Sequence, residues 1–345
     1  LVRLLVDRAR LALSDGSSFG REGSGYMRMN VGVPRAILDE GLRRLRDAVR
    51  SLVDGTSALP DGELNDIPFV KMHGLGNNFA YVDCMERPLD NLAGLAIEMS
   101  RHHTGVGSDG IIAILPSEKA DCRMRIFNAG SEAQMCGNGI RCVAKYIYDN
   151  KIVEKRRLTI ETLSGLKTVE IHAGIDGLTD MVTVDMGLPC MEPAEVPVRH
   201  DGADMIEGPV KVSGGEVRLT AVSMGNPHGV LFVDNFNDGI VASLGRELET
   251  HPIWPEKANI EFVRVDSADT LSMRAWERGA GETMACGTGA CAAAVAAVAT
   301  GRARWPITVR LIGGNLHIDR DAATGHILMT GPAVTVYSGT YYHSK

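Results

Sequence analysis

The sequence predicts an α+β fold made of two similar lobes, and three observations carry that reading. From Asp66 onward, short strands alternate with a few helical stretches. A pair of glycine-rich motifs occurs twice at nearly the same separation, the mark of an internal duplication. At 345 residues the chain is also longer than one ordinary core and suggests about two domains.

The elements follow in order. Val2 to Leu13 reads as a basic amphipathic helix, SDGSSFGREGSGY as a turn-rich loop, and Tyr26 to Val33 as a strand. Pro34 opens a helix running to about Val53, with proline in the first turn and Leu38, Leu42, Leu45, Val49 and Leu52 on one face. TSALPDGELNDIP then reads as a linker. Strands are expected at Pro68–His73, Ala80–Asp83, Ile111–Leu115 and Cys122–Asn128, with helices at Leu92–Ser100 and Gly139–Asp149. The second half repeats the pattern with strands at Val182–Met186, Val217–Val222, Gly229–Val233, Ile260–Val265 and Leu271–Trp276, then a helix at Gly287–Ala299. Ile307–Leu311, Leu316–Arg320, His326–Met329 and Ala333–Ser338 complete the strands.

Composition excludes several function classes. The net charge of −7 and the lack of a long basic run argue against nucleic-acid binding, which needs clustered Lys and Arg. Seven cysteines without a CxxC pair support neither a zinc ribbon nor a thioredoxin motif, so no metal is expected. The opening LVRLLVDRAR carries charges through its apolar stretch, unlike a signal peptide. Thr283 to Gly301 is uncharged over 301 − 283 + 1 = 19 residues, but it is Ala, Gly and Thr rather than Leu or Phe. That composition suits a buried helix with close neighbours rather than a membrane span. The expectation is a soluble, cytoplasmic protein with reduced thiols.

The repeat is the most informative signal. Gly74-Leu-Gly-Asn77 is echoed by Ser223-Met-Gly-Asn226, and Gln134-Met-Cys-Gly-Asn-Gly by Met284-Ala-Cys-Gly-Thr-Gly. Asn77 to Cys136 spans 136 − 77 = 59 residues, and Asn226 to Cys286 spans 286 − 226 = 60. Each cysteine stands at a strand-to-helix junction, where glycines admit close approach and free helical N–H groups can bind an anion. The helix end is expected to lower the thiol pKa from about 8.5. Cys84, Cys122, Cys142, Cys190 and Cys291 lack that setting and read as inert buried thiols. Two thiols on opposite sides of a small ligand suit inversion at carbon, one removing a proton and the other delivering one to the opposite face. Backbone N–H groups would stabilise charge growing on the substrate carboxylate.

These residues lie within a wider resemblance. FVKMHGLGNNF, RHHTGVGSDG, FNAGSEAQMCGNGIRC, SMGNPHGV, ANIEFV, WERGAGETMACGTGACAA and MTGPAVTVYSG occur in the order expected of the diaminopimelate epimerase family, and residues 66 to 345 resemble it throughout. The resemblance implies two lobes, each a curled, mostly antiparallel sheet around a central helix: residues 66–187 with 333–345, and 188–332. It implies epimerisation of LL-2,6-diaminopimelate to the meso form, in lysine and peptidoglycan-precursor synthesis. No cofactor, whether pyridoxal phosphate or nucleotide, is implied, and a homodimer is compatible with it. By the same resemblance Cys136 and Cys286 are the acid/base thiols, and His228 and Glu277 assist proton transfer. Asn77, Asn128, Asn226, Asn259 and Arg278 would hold the non-reacting amino-acid end, with Gly137, Asn138, Gly287 and Thr288 around the reacting carboxylate. An arginine fork suits a carboxylate, and asparagines both donate and accept.

The chain departs from the family in three places. Asn78 stands where the family has Asp, and Gly110 where some members carry a substrate-contacting Gln. The family's Asn-Ala-Asp-Gly-Ser reads Asn128-Ala129-Gly130-Ser131, one residue short, which is expected to displace either Asn128 or Cys136. Residues 1–55 resemble, through LALSDGSSFGREGSGYMRMNVGVPRAIL, the C-terminal end of cystathionine β-lyase-like pyridoxal-phosphate aminotransferases, with Arg28 as their carboxylate-gripping arginine. The Schiff-base lysine region and the phosphate-binding segment have no counterpart here, so residues 1–60 are expected to be a remnant and linker without catalysis. Three rival functions follow from these features. One is another two-cysteine racemase or isomerase, such as one acting on proline, against which Asn226, Asn259 and Arg278 argue. The others are a pyridoxal-dependent lyase or aminotransferase, argued from residues 1–55, and a non-catalytic thiol-bearing or interaction protein.

Overall fold

The computed structural model describes residues 14–15, 27–28, 35, 38–39, 41–46, 64–128 and 130–344. The chain divides into two compact units, residues 1–65 with 342–345, and residues 66–341. In the first unit, β1 (Ser14–Asp15) pairs antiparallel with β2 (Met27–Arg28). Residues 35, 38–39 and 41–46 are helical, within the helix expected from Pro34. The helix expected over 2–13 and most of the linker lie outside the described residues.

The second unit runs through one succession of elements twice. The first run is β3 (Leu64–Gly74), β4 (Asn77–Asp83), α1 (Leu92–Ser100), β5 (Ile111–Leu115), β6 (Cys122–Asn128), β7 (Ser131–Ala133), α2 (Gly137–Asp149), β8 (Arg157–Thr162), β9 (Gly165–Ala173) and β10 (Thr179–Asp185). After β11 (Gly208–Val212) the second run is β12 (Gly215–Ser223), β13 (Pro227–Phe232), α3 (Asp238–Glu249), β14 (Asn259–Ser267), β15 (Thr270–Glu277), β16 (Gly281–Thr283), α4 (Gly287–Ala299), β17 (Ile307–Leu311), β18 (Gly314–Arg320) and β19 (Ile327–Pro332). The last strand is β20 (Val334–Ser344).

Pairing repeats with the elements. In the first run β3–β4, β5–β6, β8–β9 and β9–β10 are antiparallel, while β4–β5 and β6–β8 are parallel. The second run has the same sequence of pairings from β12 to β19. Each parallel pair is separated in sequence by one of the four helices, because parallel neighbours need a crossover. Antiparallel pairing of β10 with β19 joins the runs into one mixed sheet. β11 flanks β12, and β20 stands next to β3, where Tyr337 packs edge-on against Phe69.

The largest core surrounds α2 and α4 together. Residues 290–297 of α4 are all buried, and their mostly Ala side chains let strands close on the helix from several directions. This is the fate of the uncharged 283–301 stretch. Among the described residues no helix is long and apolar enough to cross a membrane. Smaller clusters lie under α1, around Phe69 and Ala80, and under α3, around Trp254 and Trp276. From residue 66 onward the strands and helices expected from sequence are present with shifted ends, the last strand running on to Ser344; β7, β8, β9, β11, β16 and α3 add to them. α3 starts at Asn237, whose side chain caps the N–H groups of Gly239 and Ile240, yet an Asn-Asp-Gly run reads from sequence as a turn.

Candidate active site

Cys136 and Cys286 occupy the same place in the two runs. Cys136 is the N-cap of α2, with extended backbone, and its Sγ accepts the Gly139 N–H at 3.3 Å. Cys286 is the N-cap of α4, and its Sγ accepts the Gly289 N–H at 3.4 Å. The second glycine of each Cys-Gly-x-Gly motif is required by space. A Cβ on Gly139 would lie 2.7 Å from Ile112 Cδ1, and one on Gly289 would lie 2.6 Å from Glu261 Oε1 and 3.1 Å from Cys286 Sγ.

The two helix starts meet. Asn138 Nδ2 donates to the carbonyl of Ala285, immediately before Cys286, at 3.3 Å. Asn138 is itself held by Arg141, a wholly buried guanidinium that donates to Asn138 Oδ1 at 2.9 Å and to the carbonyls of Gly137 and Pro332 at 3.1 Å. A Cβ on Gly287 would come within 3.9 Å of Asn138 Oδ1. The Cys136 thiol donates to Asn77 Oδ1 at 3.3 Å, and Cys286 Sγ lies 3.6 Å from Thr288 Oγ1.

The remaining candidates come mainly from the second run. His228, wholly buried, sets Nδ1 2.8 Å from Glu261 Oε1 and Nε2 3.0 Å from Asn226 Oδ1. Asn259 spans two loops: its Nδ2 donates to the Pro227 carbonyl at 3.1 Å and its Oδ1 accepts the Arg278 N–H at 2.9 Å. Arg278 is exposed and its Nη1 donates to the Glu256 carbonyl at 2.9 Å. Glu277 ends β15 and accepts the Thr283 hydroxyl. Asn128 ends β6 at an exposed position; among the described residues no side-chain hydrogen bond ties it to the other candidates.

Electrostatics link the two thiols with Glu277, Glu261 and His228 and correct one expectation. Burial pushes the Cys136 thiol up, the N–H groups of Gly139 and Asn138 oppose this, and the Glu277 carboxylate adds to the rise. Burial pushes Cys286 well above its ordinary value, reinforced by Glu277 and Glu261 and opposed by Thr288 and the Gly289 N–H. The helix ends do act in the expected direction, but dehydration of the thiolate outweighs them. Glu277 is raised by burial, against the Thr283 hydroxyl, with Glu261 and Asp109 raising and His228 lowering. The one carboxylate thus senses both thiols and both runs.

The one-residue difference between the runs falls ahead of Ser131. Asn128 pairs with Ser131 across a two-residue turn, whereas Glu277 pairs with Gly281 across the three residues 278–280. Beyond the turn the spacings agree, 136 − 131 = 5 and 286 − 281 = 5. The missing residue is confined to the turn, where Gly130 has φ +95. Ala129 lies outside the described residues.

Sequence reasoning missed Glu261, Arg141 and Asp109. Asp109 Oδ2 accepts the backbone N–H of Asn78 at 2.9 Å and its side-chain amide at 3.0 Å. Asn78 thereby supplies donors to Asp109, where an Asp at 78 would set two carboxylates together. Among the described residues no group of three or more His, Cys, Asp or Glu is placed to hold a metal ion.

Comparison with known proteins places this architecture. A family profile for diaminopimelate epimerase matches residues 69–191 and 220–336. The chain belongs to the diaminopimelate epimerase family. As a member of that family it is an isomerase of the epimerase class. The diaminopimelate epimerase of Acetivibrio thermocellus is 48% identical over 272 residues, covering 79% of this chain and 97% of that protein. That of Desulfovibrio desulfuricans is 48% identical over 281 residues, covering 79% and 98%. The fold is also shared by a phenazine biosynthesis protein of the PhzF family from Bacillus anthracis, with TM-score 0.58, 18% identity and coverage of 81% of this chain and 100% of that one. A probable proline racemase from Agrobacterium radiobacter has TM-score 0.58, 17% identity and coverage of 79% and 92%. In this diaminopimelate epimerase family member, the matched segments contain both thiol-capped helix starts.

Proposed function

We propose that the chain interconverts LL- and meso-2,6-diaminopimelate with Cys136 and Cys286 as the two acid/base groups. The observation that carries this reading is the mirrored pair of thiol N-caps, whose helix starts are joined by the Asn138–Ala285 hydrogen bond. The substrate is carried over from relatives at 48% identity that bear that name.

In the reaction one thiol, ionised, removes the α-proton from one face. The other, protonated, delivers a proton to the opposite face, so each turnover exchanges their roles. The carbanion-like centre pushes charge onto its carboxylate, which would sit at the two helix starts among the N–H groups of Gly137, Asn138, Gly287 and Thr288. Glu277 and His228 would assist proton transfer. Asn77, Asn128, Asn226, Asn259 and Arg278 would hold the distant amino-acid end, a second charged zwitterion that a proline-type substrate lacks.

Residues 66–187 with 333–345, and residues 188–332, act as the two lobes on this reading, and residues 1–60 supply no catalytic group. The direct test is Cys136→Ala and Cys286→Ala, each of which should abolish epimerisation; Cys→Ser should be nearly as inactive, since a hydroxyl is a far poorer base. Turnover within tenfold of the parent in either Ala variant would refute the two-thiol mechanism.

A further inference from the structure

The two thiols do not have equivalent surroundings. Register sets Phe79 in the first run at the place of His228, and Ile112 at the place of Glu261, since Tyr81 pairs with Ile112 as Val230 pairs with Glu261. An apolar pair thus underlies Cys136 where a His–Glu pair underlies Cys286. Glu261 is wholly buried, and its Oε2 has no hydrogen-bond partner among the described residues. Burying a carboxylate with one orphaned oxygen is costly, so its retention calls for a reason.

The proton count supplies one. Both nitrogens of His228 face oxygens, Nδ1 toward Glu261 Oε1 and Nε2 toward Asn226 Oδ1. An amide oxygen only accepts, so Nε2 carries a proton. Nδ1 and the Glu261 carboxylate, 2.8 Å apart, share a second proton. With Asn226 Oδ1 occupied by Nε2–H, the NH2 group is the half of the Asn226 amide left for a ligand.

We propose that Glu261 is a positioning residue that holds His228 with Nε2 as donor and thereby fixes the Asn226 amide with its NH2 available to a substrate carboxylate. This rests on the reading of Asn226 as a substrate-binding residue given above. A Gln at 261 can meet Nδ1 through its oxygen or its NH2; with the oxygen accepting from Nδ1–H, Nε2 of the neutral ring becomes an acceptor and Asn226 turns its NH2 to the ring and its oxygen to the substrate.

The test is steady-state kinetics with diaminopimelate on folded Glu261→Gln and Glu261→Asp, with Asn226→Ala in parallel. KM should rise about tenfold to a hundredfold in Glu261→Gln, the cost of one misdirected hydrogen bond to a charged group, with kcat within about threefold of the parent. Glu261→Asp keeps the carboxylate and should fall between parent and Gln. A KM in Glu261→Gln within about twofold of the parent, or a fall in kcat at unchanged KM, overturns the proposal. If Glu261→Gln is recovered unfolded, Glu261→Asp decides: a KM more than about twofold above the parent supports it, and a smaller change overturns it. An unaltered KM in Asn226→Ala would refute the underlying reading of Asn226 as a substrate-binding residue, whereas a raised KM there beside an unaltered Glu261→Gln would refute only the role of Glu261.

Discussion

Arg125 holds Glu132 in a two-pronged fork, Nε to Oε1 at 2.7 Å and Nη2 to Oε2 at 2.8 Å, across the hairpin that leads into Cys136. The other run builds the same brace from Arg274 and Glu282, at 2.6 Å and 2.8 Å, ahead of Cys286. A parallel fork fixes direction as well as distance, so both cysteines are delivered from hairpins clamped in the same register. The clamp is present on the side with the short turn as well.

Insertion of Asp between Ala129 and Gly130 should therefore change kcat/KM by less than about threefold. The clamp and the N-cap hold Cys136, and the added residue enlarges only the turn. A gain of tenfold or more would mean that the short turn misplaces Asn128, since errors of about 1 Å can cost about a hundredfold in rate.

Deletion of residues 1–60 should leave kcat/KM within about twofold, because every candidate site residue lies in the unit of residues 66–341. Kinetics of the truncated chain, checked for folding by circular dichroism, decide this. A folded truncation with less than a tenth of the activity would contradict it.

Glu277→Gln should shift the acid limb of the pH–rate profile to lower pH, whatever its cost in rate. Both thiols are pushed up chiefly by burial and further by the Glu277 carboxylate. One thiol must ionise for turnover, so the parent's rate should still be rising above the ordinary thiol value of about 8.5. Removing the carboxylate lowers both thiol pKa values and moves the limb down. An unmoved or upward-shifted limb would show that Glu277 does not act electrostatically on the thiols.

Alkaline pH should destabilise the fold through cysteines outside the site. Burial pushes Cys122 and Cys291 up to about 12 and Cys142 to about 11. In the unfolded chain these thiols ionise near pH 8.5, so above that pH the unfolded state binds fewer protons and stability falls. Each contributes a slope of about 1.4 kcal/mol per pH unit up to its folded pKa. Urea midpoints under reducing conditions should drop between pH 8.5 and 10.5, and Cys122→Ala should lower the midpoint at pH 7.5 while flattening the drop. A midpoint constant across that range would contradict the burial argument.

The legibility of the sequence divides along a physical line. Cys136 and Cys286 stand out because a helix start with a thiol cap demands a local Cys-Gly-x-Gly pattern, and duplication wrote the pattern twice. β5 and α4 are equally plain, being short apolar or uncharged runs, and β6 alternates apolar residues with arginines. Glu261 is hidden, because a Glu in Asn-Ile-Glu-Phe-Val looks like an outward position on an alternating strand. Only the closing of α4 over β14 buries it. Arg141 is hidden likewise, since no local signal says that a helical arginine turns inward to bridge Asn138 and Pro332. The thiol pKa values run opposite to the expectation for a related reason: the helix end is a local feature, whereas the dehydration that outweighs it belongs to the assembled site.

The most direct test of the two-thiol mechanism is deuterium at the α-carbon early in turnover in deuterated water. Starting from LL-diaminopimelate, the meso product should carry solvent deuterium at the inverted carbon while recovered substrate keeps its hydrogen, because the thiol that donates differs from the thiol that abstracts. Starting from the meso form, the LL product should show the same pattern. Deuterium entering recovered substrate as fast as product, or product retaining the substrate's own hydrogen, would contradict the account by requiring a single base.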